Sequence, residues 1–190
     1  MKRCSWTGDD PLLVEYHDKE WGIPIHDDRT QFEFLSMEVM QCGLSWLTVL
    51  RKRPFLRSAF DDFDASKVAL YDGLRVEEIM RMEGIIHSPR KILAIINNAK
   101  MFLRIQDEFG SFSSYLWQFT DNKTVEYPGH ADGSIQIARN DLSDSIASDL
   151  KGRGFSFLGS ITVYSHLQAA GVINDHQTYC FRYRQLHDRT

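Results

Sequence analysis

A strongly periodic apolar pattern in the middle of the chain limits the folds available to it. In "RKILAIINNAKMFL", residues 90–103, apolar side chains recur every three or four residues. These side chains are Ile92, Ile95, Ile96, Ala99, Phe102 and Leu103. A repeat close to 3.6 residues places them on one face of an α-helix, and that face needs to be buried against other elements. The chain is therefore expected to contain a long helix packed into a core.

Similar patterns elsewhere predict further helices and an all-α fold. One helical face is formed by Phe32, Leu35, Val39 and Cys42. Other helical segments are "LSWLTVLRKR" (44–53), "RVEEIMRM" (75–82), "SDSIASDL" (143–150) and "SITVYSHLQAA" (160–170). The first of these is expected to end before Pro54, and Gly152 and Gly171 are expected to end the last two. Residues 120–141 lack a period and predict a long loop, in which "SIQIA" (134–138) suggests a strand.

The cysteine content, the length and the N-terminus predict one cytoplasmic domain. The three cysteines, Cys4, Cys42 and Cys180, are an odd number, which argues against a secreted disulfide framework. A length of 190 residues with 43% hydrophobic residues suits a single domain, 1–190, with its own core. The charged start "MKRCSWTGDD" lacks the apolar stretch of a signal peptide. No apolar run reaches the roughly 18 residues that a membrane span needs.

The charge distribution argues against an extended nucleic-acid surface. The formal net charge is −4, whereas such surfaces normally carry a basic excess. Three local basic clusters nevertheless occur, at residues 51–57, 88–91 and 151–153. Clustered Lys and Arg suit either an ordinary solvated surface or a compact DNA footprint, and both interpretations stay open at this point.

A short connection between two central helices suits phosphate binding. In "EGIIHSPRK", residues 83–91, Gly84 and two apolar residues precede Ser88 and Pro89. Ser88 is expected to cap the next helix, with Pro89 at its first position. Such a hairpin presents backbone N–H groups and a helix N-terminus to an anion. A plain helix connection is the alternative interpretation.

A cysteine and a histidine lie near each end of the chain. His176 and Cys180 are four residues apart, the spacing that puts two side chains on one face of a helical turn. With Cys4 and His17 they would form a two-Cys, two-His set, which is typical of closed structural zinc sites. A metal held there would also orient the neighbouring Tyr16 ring. Because the chain has seven histidines, a chance spacing is the alternative interpretation.

Several segments, in order from about residue 3 to residue 180, resemble one known family. They are "RCSW", "EYHDKEWG", "FEFLSMEVMQCGLSWLTVLRKR", "FDDFD", "GIIHSPRKILAIINNA", "KGRGFSFLGS" and "GVINDHQTYC". Together they resemble bacterial 3-methyladenine DNA glycosylase I. The resemblance implies the helix-hairpin-helix glycosylase fold, with the hairpin at about residues 84–89, and one structural Zn²⁺ per chain. The zinc ligands that it implies are Cys4, His17, His176 and Cys180.

The resemblance also implies a pocket for a flipped base. It puts Tyr16 and Trp46 around the base, with Trp6 and Trp21 helping to form the pocket. It gives Glu38 the catalytic recognition role, because a carboxylate accepts hydrogen bonds from the adenine edge and stabilises a cationic ring. Helical spacing alone leaves Glu38 either near the buried face or solvated, and it leaves the tryptophans as ordinary core residues.

The DNA contacts that the resemblance implies lie in two loops. Leu44, which follows Gly43, resembles the family's wedge, the side chain that enters the gap left by the flipped nucleotide. The hairpin contributes Gly84, Ile86 and Lys91. No lysine in the sequence has an identifiable role as a nucleophile, so a monofunctional enzyme without strand cleavage is expected.

Two positions depart from the family pattern. The hairpin carries His87, Ser88 and Pro89 where relatives usually have a more basic sequence, which bears on phosphate binding. His166 stands where relatives more often have an aromatic residue such as Phe. If His166 faces the pocket, it would influence substrate range or pH dependence, and a core or surface histidine is the alternative. Asp107 lies where many helix-hairpin-helix glycosylases carry a catalytic Asp, but the family does not rely on such a residue.

The sequence therefore predicts a zinc-stabilised, all-α, monofunctional DNA glycosylase. Its substrate is expected to be 3-methyladenine in alkylated double-stranded DNA, reached by base flipping, and its product the free base. The protein is expected to act as a monomer without membrane association. Two alternatives remain open, namely a zinc-clasped module that binds lesions without excising them and a glycosylase for another alkylated purine.

Overall fold

The computed structural model describes residues 1–127 and 137–187 and is mostly helical, which confirms the predicted all-α class. Within these residues the chain forms ten α-helices. They are α1 Pro11–Lys19, α2 Asp28–Gln41, α3 Trp46–Ala59, α4 Ala65–Val68, α5 Gly73–Arg81, α6 Pro89–Phe109, α7 Phe112–Trp117, α8 Asp141–Gly152, α9 Ser160–Ala169 and α10 Phe181–His187. No helix in the described residues has the length and apolar character needed to cross a membrane.

Two short strands join distant parts of the chain. Strand β1, Val125–Glu126, pairs in parallel with strand β2, Ile173–Asn174. The sequence did not predict this pair, because two residues are too few to show a period. The strand suggested by "SIQIA" (134–138) falls mainly outside the described residues, of which 137 and 138 are not in a strand.

Helix α2 is the centre of the core rather than a surface helix with one buried face. Every residue from Gln31 to Met40 is buried. The helix packs against α3, α6, α7 and α9, so all of its faces meet protein. The single apolar stripe predicted from the sequence was therefore too narrow. A helix enclosed on all sides also buries its polar residues, and these include Glu33 and Glu38.

Helix α3 continues through Pro54, so the predicted end before this residue was wrong. A proline inside a helix removes one backbone hydrogen bond and costs about 3 kcal/mol. The next turn, however, carries Leu56 and Ala59, which are completely buried, and the fully buried Phe60 follows at the C-cap. Burying one large apolar side chain contributes about 1.5–3 kcal/mol. The free energy gained by burying this turn therefore offsets the cost of a proline inside the helix.

Helices α5 and α6 are connected by residues 82–88, as the predicted hairpin requires. Pro89 occupies the first position of α6, as predicted, but the Ser88 side chain makes no capping hydrogen bond. Gly84 has a φ of +78°, and a Cβ atom there would lie 2.6 Å from the Phe55 ring. Only glycine therefore fits this turn against α3 without strain. The ends predicted for α8 and α9 are confirmed to within two residues.

Candidate functional site

The two ends of the chain meet at a buried cluster of four sulfur and nitrogen donors. The cluster consists of Cys4, His17, His176 and Cys180, whose ligand atoms all lie within 4.8 Å of one another. Cys4 precedes a short 3₁₀ helix, His17 lies in the last turn of α1, and the other two follow β2. His176 and Cys180 do not share the predicted helical turn. A tight turn joins them, in which the Cys180 N–H donates to the Gln177 carbonyl.

The separations within this cluster fit tetrahedral metal coordination. Cys180 Sγ lies 3.4 Å from His17 Nε2 and 3.7 Å from His176 Nδ1. Cys4 Sγ lies 3.5 Å from His176 Nδ1. A tetrahedral site with ordinary Zn–S and Zn–N bond lengths separates its sulfur and nitrogen ligands by about 3.5 Å. The four residues could therefore hold a metal ion with little rearrangement.

Groups outside the cluster fix the orientation of both imidazole rings. His17 Nδ1 donates to Asp18 Oδ1 over 2.8 Å, which turns Nε2 toward the cysteines. His176 Nε2 donates to the Trp21 carbonyl over 3.1 Å, which turns Nδ1 toward them. Hydrogen bonds from Arg3 lower the pKa of Asp18, and burial lowers the pKa of His176 and favours the neutral, ligating form. Such partners are characteristic of histidines that bind metals.

Sequence reasoning missed Arg3 and Asp18 as supporting residues of the cluster. Arg3 donates to both Asp18 oxygens, at 2.7–3.0 Å. The adjacency of Asp18 to His17 was a usable signal, because a carboxylate next to a ligating histidine commonly orients it. No pattern in the sequence indicated that Arg3 would reach across to α1.

The four aromatic residues predicted to form a pocket lie together beside the cluster. The Trp6 ring is 5.0 Å from the Trp21 ring and 5.4 Å from the His17 ring, between centroids. Trp21 lies 4.5 Å from His176. Tyr16 continues the group, 6.5 Å from Trp6 and 5.3 Å from Trp46. Because two of these rings touch ligand histidines, the cluster and the aromatic group are one structural unit.

Glu38 lies in the core next to this aromatic group. Its side chain is only 4% exposed, and among the described residues its Oε2 atom has no hydrogen-bond partner. Burial raises the pKa of Glu38 to about 8. Burial and then the negative charge of the nearby Glu38 raise the pKa of the Tyr16 hydroxyl. The indole N–H of Trp46 is likewise buried without a partner in the described residues. Unpaired buried polar groups are rare and indicate a place for a ligand.

Glu38 is expected to make the ligand-free protein less stable as the pH rises. An acid whose folded-state pKa lies above its unfolded value binds its proton more tightly in the folded state, so stability falls between about 4.5 and about 8 and then levels off. The slope is at most about 1.4 kcal/mol per pH unit. Glu38→Gln lacks this titration, so its free energy of unfolding should rise relative to wild type across that range. Urea unfolding of both proteins at pH values of about 4.5 and about 8 measures the difference. An unfolding free energy that changes equally with pH in both proteins would contradict the prediction.

His166 belongs to the core and not to the surface. It is 1% exposed, both ring nitrogens lack partners in the described residues, and burial lowers its pKa to about 4. It lies one turn after Thr162, which contacts Cys42 at the end of α2. The alternative of a core histidine is therefore confirmed by its burial, although its ring nitrogens have no hydrogen-bond partner among the described residues. Asp107 is exposed on α6.

The predicted wedge residue projects from a tight turn between α2 and α3. Leu44 is 40% exposed, so its side chain is accessible from solvent. Gly43 has a φ of +81°, and the Leu44 N–H donates to the Gln41 carbonyl over 2.6 Å. Ser45 caps α3 by accepting from the Thr48 N–H. We call residues 42–45 the wedge loop.

The remaining predicted DNA contacts have different surroundings. Gly84 and the half-buried Ile86 lie in the hairpin connection. Lys91, in the first turn of α6, directs its ammonium group to the backbone carbonyls of Met40 and Cys42. The DNA contact predicted for Lys91 stays a prediction, and its ammonium group already has hydrogen-bond partners within the protein.

Much of the first basic cluster is used inside the protein. Arg53 donates to Glu20 and Glu33, and Arg57 also donates to Glu33. Arg153 of the last cluster pairs with Glu108 and Asp149. These pairs leave fewer free cations for phosphate than the sequence clusters suggested, so a compact footprint is more consistent than an extended one.

Comparison with known proteins identifies the family of this chain. A family model described as methyladenine glycosylase matches residues 6–183. The chain is 39% identical to DNA-3-methyladenine glycosylase 1 of Escherichia coli K12 over 96% of this chain and 97% of that protein. It is 36% identical to DNA-3-methyladenine glycosylase of Haemophilus influenzae Rd, over 94% and 96% of the two chains. A structure of 3-methyladenine DNA glycosylase I from Staphylococcus aureus, solved for the basis of 3-methyladenine recognition, superposes with a TM-score of 0.91 at 36% identity, covering 95% of this chain and 96% of that one. The chain belongs to the methyladenine glycosylase family.

Proposed function

We propose that the protein is a monofunctional DNA glycosylase that hydrolyses the N-glycosidic bond of 3-methyladenine in alkylated double-stranded DNA. Residues 1–190 would form a single domain with the helix-hairpin-helix arrangement, its hairpin at about residues 84–89. The observation that carries the proposal is Glu38, a buried carboxyl group near Tyr16 whose Oε2 has no hydrogen-bond partner among the described residues. The activity named for the relatives of this chain is the same.

The buried carboxyl group offers an electrostatic basis for selecting a cationic base. In the free protein Glu38 is mostly protonated at neutral pH, because burial raises its pKa to about 8. A purine methylated at N3 within DNA carries a positive charge, and a nearby cation favours the ionised carboxylate. Normal adenine carries no charge and leaves the desolvation of an ionised Glu38 uncompensated. The lesion would thus be bound better than the normal base.

The departing base requires little acid catalysis. A cationic purine leaves its sugar as a neutral molecule, so the rate does not depend on a strong general acid, a device typically contributing about 10²–10⁴-fold. The protein needs mainly to extrude the base and to hold it. Extrusion costs a few kcal/mol, and stacking on one aromatic ring returns about 1–3 kcal/mol per base. Tyr16 and Trp46, with Trp6 and Trp21 nearby, supply enough aromatic surface to offset extrusion.

The wedge loop and the hairpin would contact the duplex. Leu44 would enter the space left by the flipped nucleotide, and the hairpin backbone around Gly84 and Ile86 would receive a phosphate. Water then captures the sugar cation. The two lysines beside these loops, Lys52 and Lys91, are hydrogen-bonded to backbone carbonyls, which argues against a lysine nucleophile there and supports hydrolysis without strand cleavage.

The donor cluster would hold one structural Zn²⁺. Two thiolates and two imidazoles complete a tetrahedral shell and leave no position for a substrate. When bound, the ion supplies stability and no chemistry at the glycosidic bond. Trp6 and Trp21 pack on the ligand histidines, so a bound ion would also fix the orientation of these two rings.

The test of the proposed function is chromatography of free bases released from methylated duplex DNA. Incubation with the protein is expected to release 3-methyladenine faster than the spontaneous loss in a protein-free control. Retained DNA binding without any released base would favour a lesion-binding module. Release of a different purine would instead favour a glycosylase for that lesion. Either of these two outcomes would overturn the proposal.

A further inference from the structure

A lysine on the hairpin helix reaches across to the wedge loop. Lys91 Nζ donates to the Met40 carbonyl over 2.8 Å and to the Cys42 carbonyl over 2.6 Å. Both carbonyls belong to the C-terminal end of α2, where helix carbonyls lack partners within the helix and carry partial negative charge. The ammonium group of Lys91 therefore caps α2 at the point where the chain turns into Gly43 and Leu44.

A second lysine makes the reverse connection. Lys52 lies in α3, the helix that begins directly after the wedge loop. Its Nζ donates to the Gly84 carbonyl over 2.8 Å and to the Ile85 carbonyl over 3.3 Å, both in the hairpin connection. The backbone of the wedge loop is thus held by Lys91 of α6, the helix that follows the hairpin. The backbone of the hairpin is held by Lys52 of α3, the helix that follows the wedge loop. We call this pair of contacts the lysine bracket.

Packing reinforces the bracket on the hairpin side. The Phe55 ring, one turn after Lys52 on α3, lies directly against Gly84, where even a Cβ atom would clash. Ile85 is buried in the core next to this contact. The hairpin is therefore located relative to α3 by both polar and apolar contacts. The wedge loop, in contrast, has an exposed Leu44 and a glycine without neighbours within 4 Å of its missing Cβ, so contacts at its ends hold it, and one of them is the Lys91 hydrogen bond to the Cys42 carbonyl.

We propose that Lys52 and Lys91 are positioning residues that hold the hairpin and the wedge loop at one fixed spacing, so that phosphate binding and insertion of Leu44 act together. The inference rests on the proposed function. Extrusion of a base is unfavourable, and a wedge that is already ordered loses less conformational entropy when it enters the duplex. In this arrangement Lys91 acts through the wedge loop and does not neutralise a phosphate.

Salt dependence separates this role from direct phosphate binding. A lysine that contacts phosphate contributes about one to the slope of log affinity against log salt concentration, and its removal lowers that slope. A positioning lysine leaves the slope unchanged and lowers the rate of the step that needs the wedge. We therefore expect Lys91→Met to reduce single-turnover release of 3-methyladenine by about tenfold or more, with unchanged salt dependence of binding to undamaged duplex DNA.

The experiment has a second readout that does not depend on activity. Amide hydrogen exchange of residues 41–46 in the free protein is expected to become at least about tenfold faster in Lys91→Met, since local opening governs exchange. Lys52→Met should act in the same way on residues 83–86. Lys100→Met is the matched control, because Lys100 is exposed on the same helix as Lys91. Lys91→Arg, which keeps charged donors, should restore most of the protection.

The outcomes distinguish this inference from the proposed function. Unchanged exchange in both methionine variants, or a salt slope lowered by about one in Lys91→Met, would overturn the bracket. If the wild-type protein released no base, the proposed function would fail, while the exchange comparison would still decide whether the bracket exists. If Lys91→Met did not fold, Lys52→Met would supply the same comparison on residues 83–86.

Discussion

Glu38→Gln is expected to lower the single-turnover rate of 3-methyladenine release by about 10²-fold, the size of effect seen when one preorganised electrostatic group is removed from an active site. The amide has nearly the shape of the carboxyl group but cannot ionise. It therefore cannot respond to a cationic base in the buried position beside Tyr16. The loss should be larger for release from DNA than for binding of undamaged duplex, because the wedge loop and hairpin are unchanged.

The measurement is the rate of base release at saturating protein, with the fold of the variant verified by circular dichroism and thermal unfolding. Glu77→Gln is a suitable control, since it makes the same chemical change at an exposed carboxylate paired with Arg81 on α5. Exposed pairs of this kind contribute about 0–1 kcal/mol, so this control should retain wild-type release. Wild-type release by Glu38→Gln would show that the charge of Glu38 plays no part in the reaction.

The local sequence pattern predicted part of the site and six of the ten described helices, because these depend on near neighbours; the six are α2, α3, α5, α6, α8 and α9. The apolar stripe of residues 92–103 lies in α6, and the i, i+4 spacing of His176 and Cys180 identified half of the donor cluster. The other half, Cys4 and His17, lies far away in the sequence, so residue types suggested it and the fold brought it together. The spacing argument nevertheless gave the wrong backbone, since a turn joins His176 to Cys180.

The features that the sequence could not supply are those decided by tertiary contacts. Pro54 indicated a helix end, but burial of Leu56 and Ala59 overrides it. Arg53 belongs to a basic cluster in the sequence, but in the fold it forms an ion pair with the buried Glu33. The sequence places Lys91 among the expected DNA contacts but does not show that its ammonium group donates to a backbone carbonyl of α2. The sequence does not show where a charged side chain is directed, so only the fold determines which partner it contacts.

The donor cluster is expected to contribute a large share of the stability, and removal of its metal should lower the melting temperature by about 8–16 °C. A ligand present at 1,000 times its dissociation constant stabilises the folded state by about 4 kcal/mol, and each kcal/mol corresponds to about 2–4 °C for a chain of this size. Without the ion, two buried cysteines and two buried histidines would face one another with no cation to hold them together.

Thermal unfolding of the isolated protein before and after treatment with a chelator, and again after addition of zinc, measures this effect alongside the metal content. Cys4→Ser should abolish binding and reproduce the loss. Cys42→Ser is the matched control, because Cys42 is also a free cysteine but lies outside the cluster. Equal melting temperatures for the two variants would contradict a stabilising metal site.

Tryptophan fluorescence should detect loss of the metal at temperatures below the melting temperature. Trp6 and Trp21 lie 5.4 Å from His17 and 4.5 Å from His176 respectively, so loosening of the ligands moves both rings. Chelation is therefore expected to change the emission and to weaken binding of free 3-methyladenine together, with both restored by zinc. If emission changed while base binding did not, the cluster would support the fold alone, and the aromatic group would be ordered by its own packing.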